Sequence, residues 1–359
     1  MSLVLTDDFL SIVRENRPLL DVRAPIEFAL GAFPNAKNIA ILDDEQRRLV
    51  GICYKNEGNE AAVKLGKKLV NEEVQAQRVA AWRAFMEQNP DATLYCFRGG
   101  QRSGITQAWL AQAGITIPRL RGGYKAFRRF LTANAEEITA NTNTIIIGGR
   151  TGSGKTLLLH KIDNAIDLEG LAKHRGSSFG KMISPQPSQI DFENALYYKI
   201  LQHQMNGYQN LVIEHESHNI GRVYIPKTIF DNYNKGSLVI LHTPLHERIE
   251  ITYDEYVSHA MQEYIAAFAD EGRVLWFADI NAGLDRIQKR LGSERYLKIK
   301  ALLAESFERE DDAGHKEWIE ILLREYYDPM YDYQLKKSRL PVLFEGSAEE
   351  ILNFLKDKK

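Results

Sequence analysis

Two hydrophobic patterns alternate along the chain. Short apolar runs bounded by polar or glycine-rich turns read as buried strands, and stretches with apolar residues three and four apart read as helices. In the first part, "RPLLDVRAP" is a strand carried by Leu19, Leu20 and Val22, "AKNIAI" is a second and "DATLYCF" a third. "NEEVQAQRVAAWRAFMEQNP" is a helix closed by Asn89-Pro90, and "SGITQAWLAQAG" is a helix ended by Gly114. "ITIPRLRGGYKAFRRFL" gives a short strand, a Gly-Gly turn and a basic helix. The polar segment "TANAEEITANTN" is a hinge or a helix end. After it, "TIIIGG", "NLVIEHES" and "GSLVILHTP" are strands and "TLLLHKIDNA" is a helix. From about Leu245 to about Tyr333 the pattern is mainly helical and rich in charge and tyrosine. "LPVLFEG" is a last strand and "SAEEILNFLKDK" a last helix, with Ser347 as N-cap and Glu350 placed for a capping box.

Strands alternating with helices predict an α/β protein with mostly parallel sheets. A first domain is expected over residues 1–135 and a second over 136–359, with the helical segment at about 245–335. Composition agrees, since 44% hydrophobic and 26% charged residues suit a soluble globular chain. Net charge is only -2, so any RNA-binding surface has to be a local basic patch. The apolar runs are too short to span a bilayer, and no membrane association is expected. The opening "MSLVLTDDFLSIVREN" has early acidic residues and no basic start, so no signal peptide is expected. Two cysteines, Cys53 and Cys96, make no disulfide framework and suit a cytoplasmic location.

Chemistry concentrates in two loops. In "YCFRGGQRSG", Cys96 ends a strand, where α/β sheets bind ligands. The loop behind it is a nest of backbone N–H groups, the next helix adds its positive end, and Arg98 and Arg102 add fixed charge. All three favour a reactive thiolate. The spacing Cys-x5-Arg also cradles a tetrahedral oxyanion against the sulfur. The second loop, "GRTGSGKT", fits the P-loop pattern and lies between an apolar strand and a helix. Gly149, Gly152, Ser153 and Gly154 let the backbone wrap phosphates, Lys155 holds their charge, and the Thr156 hydroxyl is placed for Mg²⁺. The acidic partner expected at another strand end is Glu214 or Glu216. That it is Glu rather than Asp leaves open a P-loop that binds a pyrophosphate without hydrolysing ATP. His215 and His218 lie beside these residues, but no further ligands at useful spacing point to a metal site.

"DVRAPIEFALGAFPNAKNI" resembles the opening of a rhodanese domain, "YCFRGGQRSG" its active loop and "LRGGYKAF" its closing turn. The resemblance implies a sulfur or selenium adduct carried on Cys96. Most rhodanese loops space cysteine and arginine one residue closer. The wider spacing is that of a related class of cysteine phosphatases, and it fits a phosphorus oxyanion. A rhodanese-like domain fused to a P-loop domain, with "GICYKNEG" and "DLEGLAKHRGSSFG" followed by "PSQIDFENAL", resembles the tRNA 2-selenouridine synthase family. The fold so implied is an N-terminal rhodanese-like parallel-sheet domain, then a P-loop NTPase-like α/β domain with a helical C-terminal extension.

That family replaces the sulfur of a wobble 2-thiouridine in tRNA with selenium from selenophosphate, and it attaches a geranyl group to that sulfur from geranyl pyrophosphate. The resemblance therefore implies selenophosphate and geranyl pyrophosphate as co-substrates and tRNA as partner. A selenophosphate-producing enzyme is implied upstream, and a selenyl-cysteine on Cys96 is implied during transfer. It also points to Arg175, Ser177 and Ser178 as substrate contacts. Arg121, Lys125, Arg128 and Arg129 form either a tRNA phosphate contact or a solvated helix face. Cys53 either resolves an adduct on Cys96 or sits in the core. Two alternatives stand beside this reading: an ATP-dependent tRNA sulfurtransferase, and a non-enzymatic phosphate- or nucleotide-sensing regulator.

Overall fold

The computed structural model describes residues 3–356 and residue 358. They fall into two compact units, one formed by the chain up to Ile138 with Ser188–Asn206, the other by Thr139–Pro187 and Gly207 onward. The first unit runs β1 (Leu5–Thr6), α1 (Phe9–Arg14), β2 (Leu19–Asp21), α2 (Pro25–Ala29), β3 (Ala36–Asn38), α3 (Asp44–Glu57), α4 (Asn59–Leu69), α5 (Glu72–Gln88), β4 (Thr93–Tyr95), α6 (Gln101–Gln112), β5 (Arg119–Leu120) and α7 (Gly123–Asn141). Its strands form one parallel sheet in the order β1-β5-β4-β2-β3. The central strands are buried on both faces, which is why they read as continuous apolar runs. Trp82 of α5 seals one face and donates its indole N–H to the Ile39 carbonyl at 2.8 Å.

Helices α3 and α4 are absent from the hydrophobic pattern because charged residues break up their apolar positions. Local chemistry sets them instead. Asp43 caps α3 in a capping box with Gln46, and Gly58, at φ 85°, turns the chain into α4. The "DVR" signature is structural. Arg23 and Asp21 are both buried, with Nε 2.8 Å from Oδ2, and the guanidinium donates onward to the Gly31 carbonyl and covers the Tyr124 ring at 4.2 Å.

The helix Gln189–Met205 (α10 in chain order) completes this unit. Its start explains the "PSQIDFENAL" block. Asp191 accepts from the Ala32 N–H at 2.7 Å, Asn194 donates to the Ala32 carbonyl at 2.6 Å, and Glu193 pairs with Arg128 of α7.

The second unit contains β6 (Asn143–Gly149), α8 (Lys155–Leu159), β7 (Ala165–Ile166), α9 (Leu168–Ala172), β8 (Asn210–Glu214), a small β9–β10 hairpin (Asn219–Ile220, Val223–Tyr224), α11 (Lys227–Tyr233) and β11 (Ser237–Leu241). After them come α12 (Leu245–Tyr253), α13 (Ala260–Phe268), α14 (Gly272–Leu291), α15 (Ser293–Arg309), α16 (Asp312–Leu322), α17 (Asp328–Lys337), β12 (Val342–Gly346) and α18 (Ala348–Leu355). Its main sheet is parallel with order β12-β11-β6-β8-β7, and Ser347 and Glu350 form the expected capping box. The helical extension, α12 to α17, has its own core around Trp276, Leu284, Trp318 and Ile319. Two π-helical stretches, Asp254–His259 and Leu323–Tyr327, interrupt it. Among the described residues no helix is long and apolar enough to cross a membrane.

Candidate functional site

Cys96 follows β4 directly, and its side chain is buried at the floor of an open cavity of about 1080 Å³ within the first unit. The loop behind it is held from outside. Gly122 and Gly123 of the "LRGGY" turn lie backbone to backbone against it. The N–H groups of Tyr124 and Lys125 donate to the Cys96 and Phe97 carbonyls at 2.9 and 3.0 Å, and the Arg119 guanidinium donates to the carbonyls of Gly99 and Gly100 at 2.7 and 2.9 Å. The carbonyls are thus spent on the scaffold. Among the described residues none accepts from the N–H groups of Phe97, Arg98, Gly99 and Gly100. Four consecutive unpaired donors, with Gly99 in the left-handed region at φ 64° and Phe97, Arg98 and Gly100 lining the cavity, offer N–H groups that could serve an anion nest. The Ser103 hydroxyl lies 3.1 Å from Cys96 Sγ. Arg98 is exposed at the cavity, with no ion pair among the described residues. Arg102 is held by a bidentate pair with Glu27. Burial pushes the Glu27 carboxyl up, but the Arg102 guanidinium and the Ala24 N–H outweigh it and hold Glu27 below the usual carboxylate range. The cavity walls are mainly apolar, including Val50, Ile52, Val63, Ile105 and Trp109, with Arg47, Arg48, Lys55 and Lys67 also lining it.

The P-loop leaves the end of β6, the central strand of its sheet. Gly152 and Gly154 sit at φ 75° and 80°; a side chain on Gly152 would meet the Thr252 hydroxyl at 2.3 Å. The Ser153 carbonyl accepts from Thr243 and the Thr151 carbonyl from Arg248, which is itself fixed by Asp328 at 2.6 Å. Gly149 accepts from Lys155 Nζ at 3.1 Å, and Thr156 is half-buried in the first turn of α8.

The expected acidic residues are close by. Glu214 ends β8 in register with Ile147 of β6, and its Oε1 accepts from the Glu169 N–H at 2.6 Å, while Oε2 is buried without a partner. Burial, reinforced by Asp167, pushes the Glu214 carboxyl up to about 8. Burial also raises Glu216 and Glu169, whose carboxyls hydrogen-bond to each other, and the Lys155 ammonium only partly offsets the rise. Burial first, and Lys155 second, hold the His215 imidazole down. His218 stacks on Tyr224 and meets Phe230 edge-on. Among the described residues no group of three His, Cys, Asp or Glu side chains is placed to hold a metal ion.

These two loops can now be set against known proteins. Residues 142–359 match the family described as tRNA 2-selenouridine synthase AAA domain, and residues 5–130 match the rhodanese-like domain. A tRNA 2-selenouridine synthase of a Sulfurovum species is 51% identical, with 98% of each chain covered. Those of Hydrogenovibrio crunogenus and Marinobacter nauticus are 50% and 44% identical at the same coverage. The chain belongs to the tRNA 2-selenouridine synthase family.

In this synthase-family chain the remaining candidates fall in different settings. Gly51, Ile52, Tyr54 and Lys55 of "GICYKNEG" line the Cys96 cavity, whereas Cys53 does not. Burial and the Glu57 carboxylate push the Cys53 thiol up, away from thiolate. Arg175 pairs with Glu255 at 3.0 Å, the Ser177 hydroxyl lies 3.2 Å from that of Tyr256, and the Ser178 carbonyl accepts from Arg286 at 2.6 Å. Arg128 is committed to Glu193 and Asn194, which takes it off the basic face. Arg121, Lys125 and Arg129 are exposed, although Arg121 lies 3.3 Å from Asp7. Sequence reasoning missed Glu169 and Ser103. Both lie inside quoted motifs, Glu169 in "DLEGLAKHRG" and Ser103 in "YCFRGGQRSG", but only the fold shows what they touch.

Proposed function

We propose that this chain is a tRNA-modifying transferase that exchanges the sulfur of a wobble 2-thiouridine for selenium from selenophosphate, through an S-geranyl base made with geranyl pyrophosphate. The observation that carries the reading is the apolar cavity over Cys96 in a chain that also holds a complete P-loop. A thiocarbonyl sulfur is a poor leaving group, and alkylation makes it a better one. A base so alkylated brings a ten-carbon apolar chain with it. Such a chain, attached to a polyanion, suits apolar walls lined with basic residues.

In the first step the sulfur bonds to C1 of the geranyl group, the carbon–oxygen bond breaks, and pyrophosphate leaves with the electron pair. The P-loop N–H groups and Lys155 take up that charge. N3 of the base loses its proton, which the departing pyrophosphate or water takes up, and Glu214 and Glu216 stand as the acidic partners of the cradle. Loss of solvent raises the carboxyls at this site, and among the described residues they do not cluster as metal ligands. A Mg²⁺ ion accompanying the pyrophosphate would therefore meet the Thr156 hydroxyl and otherwise phosphate and water oxygens. In the second step Cys96, in its anion nest, cleaves the selenium–phosphorus bond of selenophosphate; selenium bonds to C2 as the carbon–sulfur bond breaks, and the geranyl thiol and, with water, phosphate are released. Arg121, Lys125 and Arg129 supply basic contacts for tRNA, and Arg175, Ser177 and Ser178 contacts for substrate. The setting is cytoplasmic, and an enzyme that makes selenophosphate works upstream.

The test is reconstitution with 2-thiouridine tRNA. Selenouridine is expected to require selenophosphate and geranyl pyrophosphate but not ATP, and the prenylated base is expected to accumulate when selenophosphate is withheld. An ATP requirement without geranyl pyrophosphate would favour a sulfurtransferase. No base change at all, with tight nucleotide binding, would favour a regulator.

A further inference from the structure

We propose that Cys96 attacks the phosphorus of selenophosphate, not its selenium, so that the loop carries an S-phosphocysteine and frees selenide inside the cavity. This rests on the reading of selenophosphate as donor.

Electron balance separates the two points of attack. Selenium in selenophosphate is already at the selenide level. If the thiolate attacks selenium, a sulfur–selenium bond forms and the selenium–phosphorus pair must leave on phosphorus, which departs as phosphite. The resulting adduct is two electrons too oxidised to yield a selenocarbonyl, and a thiol must reduce it. The other cysteine, Cys53, does not line the cavity. If the thiolate attacks phosphorus, a sulfur–phosphorus bond forms, the phosphorus–selenium bond breaks, and hydrogen selenide leaves with its own pair. Hydrogen selenide then adds to C2 of the S-geranyl base. Its proton passes to N3, the carbon–sulfur bond breaks, and geranyl thiolate leaves and takes a proton from water. Water cleaves the sulfur–phosphorus bond, giving phosphate and the Cys96 thiolate. Nothing is oxidised or reduced, and no co-reactant beyond water enters.

The loop is built for phosphorus. The N–H groups from Phe97 to Gly100 are unpaired, and Phe97, Arg98 and Gly100 line the cavity, where a phosphoryl group's three equatorial oxygens need donors in the transition state. The arginine spacing is the wide one. Ser103 is the most specific element. Its hydroxyl, 3.1 Å from Sγ, donates to the sulfur when the thiolate must leave phosphorus. A selenium adduct gains little from that bond, because its reactive atom is one position further out.

The experiment uses the full chain with tRNA, geranyl pyrophosphate and selenophosphate labelled on phosphorus. Selenium and a phosphoryl group add almost the same mass, so the label, the selenium isotope pattern and reducibility by thiol are read together. Ser103→Ala is expected to slow breakdown of the adduct by about ten- to a hundredfold, the effect of one lost hydrogen bond to a charged sulfur. Labelled phosphorus should then accumulate on the protein, resist thiol reduction and vanish in Cys96→Ala. Ser103→Thr should restore turnover. In the parent, rapid quenching should find the same adduct at lower level, and the released product should be phosphate. A selenium-bearing, thiol-reducible adduct, released phosphite, or turnover with no protein-bound phosphorus in either the quenched parent or a folded Ser103→Ala would overturn the inference. Failure of the parent to make selenouridine at all would instead sink the donor reading on which it rests.

Discussion

The Cys96 loop and the P-loop share a backbone plan and differ in everything around it. Each leaves the carboxyl end of an inner strand of a parallel sheet, turns through left-handed glycines and enters a helix. Around Cys96 the side chains are mainly apolar or cationic, the Ser103 hydroxyl lies beside the sulfur, and Glu27 is paired with Arg102. Around Lys155 Glu214 is buried and Glu169 and Glu216 are half-buried, and loss of solvent raises all three carboxyls above the usual carboxylate range. On the proposed function, one loop presents a nucleophile to an anion, and the other pairs an anion cradle with carboxyls of raised proton affinity. A glycine-rich turn supplies donors in both cases; the neighbouring side chains decide whether a bond is made to the protein or only charge is held.

If that division is right, the sharpest break comes from Cys96→Ser. Selenium transfer is expected to fall by about a thousandfold or more, since a hydroxyl is a far weaker nucleophile in this nest. Formation of the S-geranyl base should continue, and tRNA binding should be nearly unchanged. The readout is the ratio of prenylated to selenated base in tRNA digests. Lys155→Ala is the converse and should be somewhat milder. Prenylation is expected to drop roughly a hundredfold with the loss of a charge that stabilises departing pyrophosphate, while a pre-formed S-geranyl tRNA should still be selenated. If either variant stops both steps in folded protein, the two loops do not divide the labour.

The sequence made both loops legible because each is a contiguous motif whose glycines, cysteine or lysine act through the local backbone. The central strands were legible for the same reason, being short apolar runs buried on both faces. Helices α3 and α4 were not, because a capping box and Gly58 set them where the apolar rhythm is broken. The placement of α10 was not legible either. Its sequence interrupts the second unit, and only Asp191, Glu193 and Asn194 meeting Ala32 and Arg128 reveal that it packs with the first. Long-range polar contacts of this kind leave no period to read. Glu169 was hidden likewise, since its meaning comes from Glu214, Glu216 and Lys155, which are distant in sequence.

The glycines of the first loop sharpen the comparison at lower amplitude. Gly99 and Gly100 look equivalent in sequence, yet a β-carbon on Gly99 would lie 2.7 Å from the Leu120 carbonyl and the Gly123 N–H, at a φ of 64°, whereas Gly100 has open space. Gly99→Ala is expected to cost selenium transfer about tenfold through a misplaced nest, the effect of roughly 1–2 kcal/mol of left-handed strain. Gly100→Ala should stay within about threefold of the parent. Equal effects from the two would mean that loop shape does not limit the step. The same asymmetry makes Gly100 the residue to delete when testing whether the narrower rhodanese spacing shifts preference from selenophosphate toward thiosulfate.

The smallest effect is on stability, and it belongs to the second loop alone. The Glu214 carboxyl is raised from an ordinary 4.5 to about 8, by burial first and by Asp167 second. The folded chain therefore keeps a proton that the unfolded chain releases once the pH passes 4.5. Its contribution is fully present below that value and is lost as the pH climbs through about 8. Glu214→Gln replaces the protonated acid with a neutral group that does not titrate, and its carbonyl can still accept from the Glu169 N–H. Thermal melts of the parent should drop in Tm between pH 5 and pH 8. The variant should show a shallower drop and, at pH 8, a Tm higher by on the order of 5 °C. The gain should shrink toward pH 5, where both proteins are neutral at this position. A variant less stable than the parent at pH 8 would mean that Glu214 is ionised in the fold, and that the P-loop neighbourhood does not store the proton that sets it apart from the Cys96 loop.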